Sequence, residues 1–335
     1  TYFSQIPNAG TITIEQLLEH RSGIHDISED RDFRSKRREG TTKEELLALM
    51  VKSKPDFEPG AKYAYSNTGF QLLGLLVEKL TGTSYQQALQ ERIVVKSGLH
   101  GTYAATGNND SSKAENLSYR FVTDWQPETQ THASLLFGSG AIISTSTDLA
   151  KFIHALFEGK LVSQKSLKQM LTIKDGYGLG MDTFTLAGKT FYGHTGGIDN
   201  FGAWLAYLPE EKLAVAYTTN AKVYPVSKIM DGVINIYYNQ PFTIPSFESI
   251  TISQYVLDKY VGVYSNAEAP VKFTVSRNDA TLFLQMTGKS PIPLEPTAQE
   301  KFRIEPGGIV VEFDTTKKQM TIVRNGGARV LIKEN

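Results

Sequence analysis

The stretch YAYSNTGFQLLGLLVEKLTG, Tyr63 to Gly82, places a helix signal directly after two polar residues of chemical interest. Its second part repeats apolar side chains at helical spacing and ends at a glycine, as helices with a C-terminal cap do. Apolar residues surround most of this predicted helix, so we expect it to be buried in the centre of a domain. Tyr65 and Asn67 stand at its start, where an asparagine or serine is a common N-cap. The apolar positions are Leu72, Leu73, Leu76, Val77 and Leu80.

On both sides of this helix, helix and strand signals alternate from residue 11 to about residue 240. Capping boxes at Thr13 and Thr42 predict two short helices. The segment STDLAKFIHALFEG predicts another helix, which Ser146 or Thr147 can cap and Gly159 ends. A last helix is expected at about 226–238.

Three strand-like runs, KTFYGHTGG, FGAWLAYLP and KLAVAYTTN, follow one another in the second half of this region. The last two are separated by Pro209, Glu210 and Glu211, a connection of hairpin length. These runs predict an antiparallel sheet flanked by helices. The preceding GYGLGM lacks the acidic residue and the helix of a dinucleotide-binding motif, and a turn is the better interpretation.

The pattern changes after a proline-containing stretch. Residues 241–254 contain Pro241 and Pro245 and are interpreted as a linker. From Tyr255 onward, short alternating runs recur about every ten residues with turn residues between them, which is typical of a small barrel or sandwich. We therefore predict an α/β (α+β) chain with a catalytic-type domain at 1–240 and a small all-β barrel domain at 255–335. The runs are YVGVY, VKFTV, TLFLQM, KFRIE, GIVVEF, QMTIV and RVLIK.

Composition excludes several classes of function. The chain has 335 residues, and its 35 lysines and arginines balance its 35 aspartates and glutamates, so no overall field attracts it to nucleic acid. It has no cysteine, which excludes disulfides and a thiolate nucleophile. No run of 18 apolar residues predicts a membrane span, and the first residues do not match a signal peptide. The mixed-charge run Ser28–Gly40 is interpreted as a solvated loop.

The common catalytic and metal-binding motifs are absent from the sequence. It contains no G-x-S-x-G, no phosphate-binding loop ending in Gly-Lys-Ser or Gly-Lys-Thr, and no H-E-x-x-H. Its six histidines do not pair at the spacing that places two metal ligands on one helix face. We predict neither a metal site nor a cofactor.

Two short motifs remain, and each also has a purely structural interpretation. YSN, Tyr65 to Asn67, could be a helix cap with a packed tyrosine. GHTGG, Gly193 to Gly197, could be a glycine-rich strand end, although small residues also let backbone N–H groups approach a ligand. The two motifs together, in this order and with these flanks, are far more specific than either alone.

Four segments that include these motifs resemble the superfamily of serine β-lactamases and penicillin-binding proteins. Within it, the resemblance is to class C β-lactamases, DD-peptidases, D-aminopeptidases and related esterases. It covers about residues 1–240, and the part from Tyr255 resembles the small β-barrel that often follows such domains. The segments are LLEHRSGI, FEPGAKYAYSNTGFQLLGLLVEKLTG, GSGAIISTSTDLAKF and YGHTGGIDNFGAWLAYLPEEKLAVAYTTN.

The resemblance implies a role for each motif residue. Members of this superfamily use a Ser-x-x-Lys pair, a Tyr-x-Asn, and a Lys-or-His-Thr-Gly on a strand. Tyr65 and Asn67 match the second element, and His194, Thr195 and Gly196 match the third. Tyr65 would then be the base or proton shuttle, Asn67 would hold the lysine and a substrate amide, and His194 would complete the catalytic set. Thr195, Gly196 and Gly197 would bind substrate, with the Gly197 N–H in the oxyanion hole.

The sequence departs from this pattern in two places. No serine has a lysine three residues later, so the nucleophile motif is missing. We expect a chain shortened at its N-terminus, with the nucleophile upstream, and a non-catalytic relative that keeps the cleft is the alternative. In addition, His194 stands where many penicillin-recognising relatives have lysine, and histidine is a weaker cation near neutral pH.

The expected function is that of a serine hydrolase acting through an acyl-enzyme on an ester, a D-amino-acid peptide or a β-lactam. The histidine favours an esterase or D-amino-acid peptidase over a true β-lactamase. The partner would be a small-molecule or peptide substrate, and relatives of this type usually work in the bacterial envelope. The 335 residues alone are expected to be inactive.

Overall fold

A computed structural model describes residues 2–107, 116–121, 124–244, 250–266, 269–289, 291–304, 309–324 and 327–334. The helices are α1 (Ile14–Leu18), α2 (Arg31–Ser35), α3 (Lys43–Lys52), α4 (Asn67–Thr81), α5 (Tyr85–Leu89), α6 (Val95–Ser97), α7 (Ala133–Leu136), α8 (Ser146–Phe157), α9 (Gln164–Met170), α10 (Val226–Tyr237) and α11 (Gln254–Leu257). The strands are β1 (Tyr103–Ala104), β2 (Tyr119–Phe121), β3 (Trp125–Pro127), β4 (Ile142–Ile143), β5 (Asp182–Leu186), β6 (Lys189–Ile198), β7 (Phe201–Leu208), β8 (Leu213–Thr219), β9 (Gly262–Asn266), β10 (Ala269–Asn278), β11 (Thr281–Met286), β12 (Ile292–Ala298), β13 (Lys301–Ile304), β14 (Ile309–Asp314), β15 (Gln319–Arg324) and β16 (Gly327–Lys333).

Helix α4 lies in the apolar core of the helical part, as its periodicity predicts. Leu72, Leu75 and Leu76 are each at most 8% exposed. The helix ends at Gly82, which has the left-handed conformation of a C-cap, also as predicted. The apolar surround is incomplete at this end, where Leu80 is 58% exposed. The segments that pack against α4 include the 3-10 turns Phe137–Ser139 and Ile27–Glu29 and the helices α5, α1 and α3.

The main sheet has four antiparallel strands in the order β5-β6-β7-β8. The three predicted strands are confirmed as β6, β7 and β8. Strand β5 was not predicted, because its alternating run has five residues and follows the glycine-rich turn almost directly. In the register of β6 and β7, His194 lies opposite Leu205 and Gly197 lies opposite Gly202.

Helix α8 covers one face of this sheet. Its Ile153 belongs to one buried cluster with Leu205 and Tyr207 of β7. Thr145 caps the helix by accepting the Asp148 N–H, one residue before the predicted cap. The pairing of an amphipathic helix with an antiparallel sheet confirms the predicted mixed fold class.

The charged run Ser28–Gly40 is not simply a solvated loop, so that interpretation was wrong. Its centre forms α2, and Phe33 in this helix is 7% exposed within the same core that α4 fills. One apolar side chain among charged neighbours anchors the helix, and the charged residues remain at the surface. Arg37, beyond the end of α2, contributes to the candidate site described below.

The last part of the chain forms a closed antiparallel barrel of eight strands, in the order β10 to β16 and then β9. This confirms the predicted small β domain. The sequence missed β12, because Pro293 and Pro296 argue against a strand. The strand tolerates them with a register shift after Pro296, at its pairing with β13.

The described residues divide into two compact units. The first comprises 1–118 and 127–220, and the second comprises 119–126 and 221–335. The division proposed from the sequence, at 1–240 and 255–335 with a linker at 241–254, stays a prediction, and residues 245–249 of that linker lie outside the described ranges. Across the helices of the described chain, none combines the length and the apolar character that crossing a membrane would need.

Candidate active site

Tyr65 lies just before α4, whose N-cap residue Ser66 has extended backbone. Tyr65 is 47% exposed, and the centroid of its ring lies 4.1 Å from that of the His20 ring. The His194 ring centroid is 6.4 Å away from it. Two residues that stand 129 positions apart in the sequence are therefore close neighbours in space.

Asn67 is the first residue of α4 and is held by Asp26. Its backbone N–H and its side-chain Nδ2 both donate to Asp26 Oδ2, at 3.1 and 2.8 Å. The other carboxylate oxygen of Asp26 accepts the Ser28 N–H at 3.1 Å. A carboxylate at this place satisfies the start of α4 in place of a side-chain cap. The carbonyl end of the Asn67 side chain has no hydrogen-bond partner among the described residues and stays open to a ligand.

His194 to Gly197 occupy the end of β6. Small residues on both strands keep this end open, since Gly196 and Gly197 face Ala203 and Gly202 of β7. Gly193, one position earlier, allows the close approach of β7, because a Cβ there would lie 1.8 Å from the Leu205 carbonyl oxygen. Backbone groups at this strand end are therefore accessible to a bound molecule.

The hydrogen bonds of His194 define its tautomer. Its Nδ1 lies 2.6 Å from the Thr195 carbonyl oxygen, which can only accept, so Nδ1 carries the proton. The Tyr177 hydroxyl lies 2.9 Å from Nε2, which must then accept the tyrosine proton when the ring is neutral. Tyr177 and the strand backbone thus fix the imidazole in one orientation beside Tyr65.

All six site residues predicted from the sequence line one cleft of about 1540 Å³. Tyr65, Asn67 and His194 come together there with the strand segment Thr195–Gly197. Tyr63, Gln71, Tyr177 and Asp182 contribute further wall residues. A cavity of this size accommodates a peptide-sized molecule.

The charged residues at the cleft are mostly paired with one another. Arg34 forms an ion pair with Glu29, and the Arg37 guanidinium lies 2.5 Å from Asp199 Oδ1. Within the part of the chain that the structure describes, no cation lies within ion-pair distance of Asp182. The described walls therefore present no uncommitted arginine or lysine to a substrate carboxylate.

The environment of the cleft favours the neutral forms of Tyr65, Tyr177 and His20. Burial raises the pKa of the Tyr65 hydroxyl, and the nearby Asp26 carboxylate raises it further. Burial also raises the pKa of Tyr177, with Tyr65 as the next contribution. The opposite shift occurs at His20, where burial lowers the pKa to about 4, with a smaller effect of His194. Tyr65 is consequently a phenol at neutral pH unless a cation is brought beside it.

Among the residues of this site that sequence reasoning missed are Tyr177, Asp26 and His20. Tyr177 lies in the turn GYGLGM, and only the tertiary fold brings its hydroxyl to His194. Asp26 gave no signal beyond its position in a loop ahead of a short turn. His20 lies in LLEHRSGI, a segment that carried the family resemblance without a role for the histidine.

The chain is similar to several known proteins. The family model described as Beta-lactamase matches residues 2–235. Penicillin-binding protein 4* of Bacillus subtilis is 22% identical over 331 residues, and the match spans 90% of this chain and 73% of that protein. The matched stretches of several other curated relatives span less than half of those proteins.

Two solved structures are similar to this chain over about two thirds of its length. A D-stereospecific amidohydrolase from Streptomyces is 30% identical, with a TM-score of 0.57 over 63% of this chain and 68% of that one. The D-amino acid amidase of Ochrobactrum anthropi, solved with L-phenylalanine amide, is 25% identical, with a TM-score of 0.59 over 66% of this chain and 67% of that one.

Proposed function

The chain belongs to the beta-lactamase family of serine hydrolases, and on that premise we propose that it is part of a hydrolase acting through an acyl-enzyme on an ester or a D-amino-acid amide or peptide. The observation that carries the proposal is the meeting of Tyr65, Asn67 and the strand segment His194–Gly197 in one cleft. Each of these groups matches a role that acyl transfer requires.

The nucleophile is proposed to be a serine of a Ser-x-x-Lys pair outside these 335 residues, since none of them forms such a pair. The lysine of that pair would also supply the cation that Tyr65 lacks. Because burial raises the pKa of Tyr65, its hydroxyl can exchange protons near pH 7 only if a cation lowers that pKa. Tyr65 would then shuttle the proton from the serine to the leaving group.

The oxyanion of the tetrahedral intermediate is assigned to the Gly197 N–H at the open end of β6. The second donor would be the N–H of the nucleophilic serine, and losing one such donor costs about 100- to 1000-fold in turnover. The free carbonyl of Asn67 and the side chain of Thr195 are assigned to the substrate. Asp26 supports Asn67 in this role through its two hydrogen bonds.

The charges of the cleft support esters and D-amino-acid amides over β-lactams. Penicillins carry a carboxylate next to the reactive ring, and recognising it needs a free cation. His194 is engaged at both ring nitrogens, and Arg37 is committed to Asp199. The uncompensated carboxylate of Asp182 instead favours substrates with a free ammonium group. A site outside the cytoplasm, in the bacterial envelope, is part of the proposal by family resemblance.

A turnover assay on the full-length gene product tests this proposal. We expect hydrolysis of a D-amino-acid amide and of a p-nitrophenyl ester, and a kcat/KM for benzylpenicillin at least tenfold lower. Efficient penicillin turnover would contradict the substrate preference. Failure of all three substrates, together with no labelling by a fluorophosphonate, would contradict the hydrolase assignment.

The alternative is a non-catalytic relative that binds a peptide or peptidoglycan-like ligand in the same cleft. The absence of a Ser-x-x-Lys pair from these 335 residues is the observation that favours it. It predicts saturable binding of a D-amino-acid peptide without any covalent product. Finding the pair elsewhere in the full-length sequence would decide against it.

A further inference from the structure

His20 contacts the backbone on both sides of Tyr65, the residue that carries the proposed proton transfer. The N–H of Ala64, the residue before Tyr65, donates to the His20 carbonyl oxygen at 2.9 Å. The N–H of Ser66, the residue after Tyr65, donates to the His20 ring at Nδ1, at 3.1 Å. One residue thus fixes the backbone on both sides of Tyr65.

The His20 ring also supports the Tyr65 ring directly. It is 2% exposed, and its centroid lies 4.1 Å from that of Tyr65 at an interplanar angle of 32°. The rings of Phe70 and Tyr177 pack on it at 4.9 and 4.8 Å. Aromatic contacts at these distances hold a ring in one orientation.

His20 adopts an uncommon backbone conformation to make these contacts. Its φ is +56°, in the left-handed region that a histidine rarely occupies. Such a conformation persists when surrounding contacts fix it, and it is common at functional sites. Here it lets the carbonyl oxygen and the ring of a single residue reach the two N–H groups that flank Tyr65.

The hydrogen bond from Ser66 to the His20 ring requires a neutral imidazole with its proton on Nε2. Because Nδ1 accepts the Ser66 N–H, it cannot carry a proton itself. The Nε2 atom is buried and has no hydrogen-bond partner in the described part of the chain. A second proton would turn Nδ1 into a donor, break the bond to Ser66 and place a cation against Tyr65. The pKa of His20, lowered to about 4 by burial, keeps the ring neutral at ordinary pH.

We propose that His20 is a positioning residue, which fixes the Tyr65 phenol in the cleft by accepting the hydrogen bonds on either side of it and by packing on its ring. It touches no reacting atom and acts through Tyr65. The catalytic consequence rests on the proposed function, whereas the positioning itself does not. The titratable groups that face His20 and enter its pH behaviour are Asp26, Tyr63, Tyr65, Tyr177 and His194.

Nuclear magnetic resonance of the full-length protein tests the positioning without any need for activity. Histidine labelled with ¹⁵N reports the tautomer of His20, and tyrosine labelled with ¹³C reports the Tyr65 ring. The Tyr65 signal is assigned by its absence from the spectrum of Tyr65→Phe. We expect the Nε2–H tautomer at pH 7, and a common midpoint near pH 4 for His20 and the Tyr65 signal. A His20 that titrates near its free value without moving the Tyr65 signal would overturn the proposal.

Two substitutions separate the hydrogen bond from the packing. His20→Asn keeps an acceptor at the same side-chain position, tolerates the left-handed conformation and cannot take a proton. We expect it to keep the Tyr65 signal near its native position and to abolish its movement at pH 4. His20→Leu removes the acceptor and should shift the Tyr65 signal, whereas the control His154→Asn, on α8, should leave it unchanged. If His20→Leu does not fold, the wild type and His20→Asn can still be compared. A Tyr65 signal with the same pH dependence in both proteins would contradict the positioning role of His20.

Kinetics of the full-length protein test the catalytic consequence separately. Displacing a catalytic group by about 1 Å can cost about 100-fold in rate. We expect His20→Leu to lower kcat on this scale with KM within twofold, and His20→Asn to recover at least tenfold of the loss. An unchanged kcat in His20→Leu would contradict the role in catalysis. If the full-length protein is not a hydrolase, only this kinetic test no longer applies, because the resonance experiment does not depend on activity.

Discussion

Two aromatic clusters in this protein use the same residue types in opposite ways. The barrel cluster consists of Tyr260, Tyr264, Phe302 and Phe313, all at most 4% exposed. Its Tyr260 and Phe313 rings stack at 4.6 Å. Both of its hydroxyls donate to backbone carbonyls, of Gln299 at 2.9 Å and of Tyr260 at 2.8 Å. Every polar atom of these side chains is satisfied within the barrel, as a structural core requires.

The cleft cluster consists of His20, Tyr63, Tyr65, Phe70 and Tyr177. His20 Nδ1 accepts the Ser66 N–H, whereas other polar atoms of this cluster are left open or point at ionisable groups. The Tyr177 hydroxyl binds His194, the Tyr65 hydroxyl has no hydrogen bond among the described residues, and the His20 Nε2 is buried without a partner. A buried ring nitrogen without a partner is uncommon in a structural core, and it agrees with the proposal that this cluster serves a reaction rather than packing alone.

The largest expected effect is on turnover, from Tyr65→Phe in the full-length protein. Removing a proton-transfer group costs about 100- to 10 000-fold in kcat. The same change should alter the free energy of unfolding by less than about 0.5 kcal/mol, because the hydroxyl makes no hydrogen bond to any residue that the structure describes. Steady-state kinetics and urea unfolding measure the two quantities. A variant with lost stability and retained turnover would make the two clusters alike.

The reverse pattern is expected from Phe313→Ala in the barrel cluster. Truncating a buried phenylalanine lowers the free energy of unfolding by about 3–5 kcal/mol, since it leaves a cavity. The Tyr65 resonance should keep its position in the folded protein. Tyr255→Ala is the matched control, because Tyr255 is 75% exposed, and it should change stability by less than about 0.5 kcal/mol. Equal losses in the two variants would show that Phe313 is not a core residue.

The pH dependence of stability should carry the signature of His20. Its pKa is about 4 in the folded protein and 6.5 when unperturbed, so the unfolded chain binds the proton first as the pH falls. The free energy of unfolding should therefore decrease by about 3 kcal/mol between pH 6.5 and pH 4 and change no further from this group below pH 4. Urea unfolding of the wild type against His20→Asn isolates this contribution. An identical pH profile for both proteins would contradict it.

The smallest expected effect comes from Tyr264→Phe in the barrel cluster. Its hydroxyl donates to the buried Tyr260 carbonyl, and losing that hydrogen bond costs about 1 kcal/mol. Turnover of the full-length protein should not change. Tyr264→Phe should thus lower the free energy of unfolding and leave turnover unchanged, whereas Tyr65→Phe should do the opposite. A turnover loss like that of Tyr65→Phe would remove the distinction between the clusters.

Periodicity made α4 and the strands β6 to β8 predictable. Their patterns are long and local, so they indicate the element without any knowledge of its tertiary contacts. The meeting of Tyr65 with His194 could be predicted only from the resemblance of the whole sequence to a family, because no local pattern links positions 129 residues apart.

The residues that support the site could not be predicted in the same way. Tyr177 forms isolated β-bridges, and Asp26 lies in the loop ahead of the 3-10 turn Ile27–Glu29. Single side chains in such segments give no period to detect, and tertiary contacts alone decide what they touch. Strand β12 was missed for a different reason. Its Pro293 and Pro296 are strong local signals against a strand, and pairing with both neighbours in the closed barrel overrides them.

The central claim is that the cleft holds a catalytic set whose nucleophile lies outside these 335 residues. Intact-mass and peptide mass spectrometry of the full-length gene product, treated with a fluorophosphonate, tests it most directly. We expect one adduct, on the serine of a Ser-x-x-Lys pair, which is lost or greatly slowed in Tyr65→Phe, and no adduct on the 335-residue chain alone. A stoichiometric adduct on a serine within these 335 residues, or no adduct on the full-length protein, would contradict it.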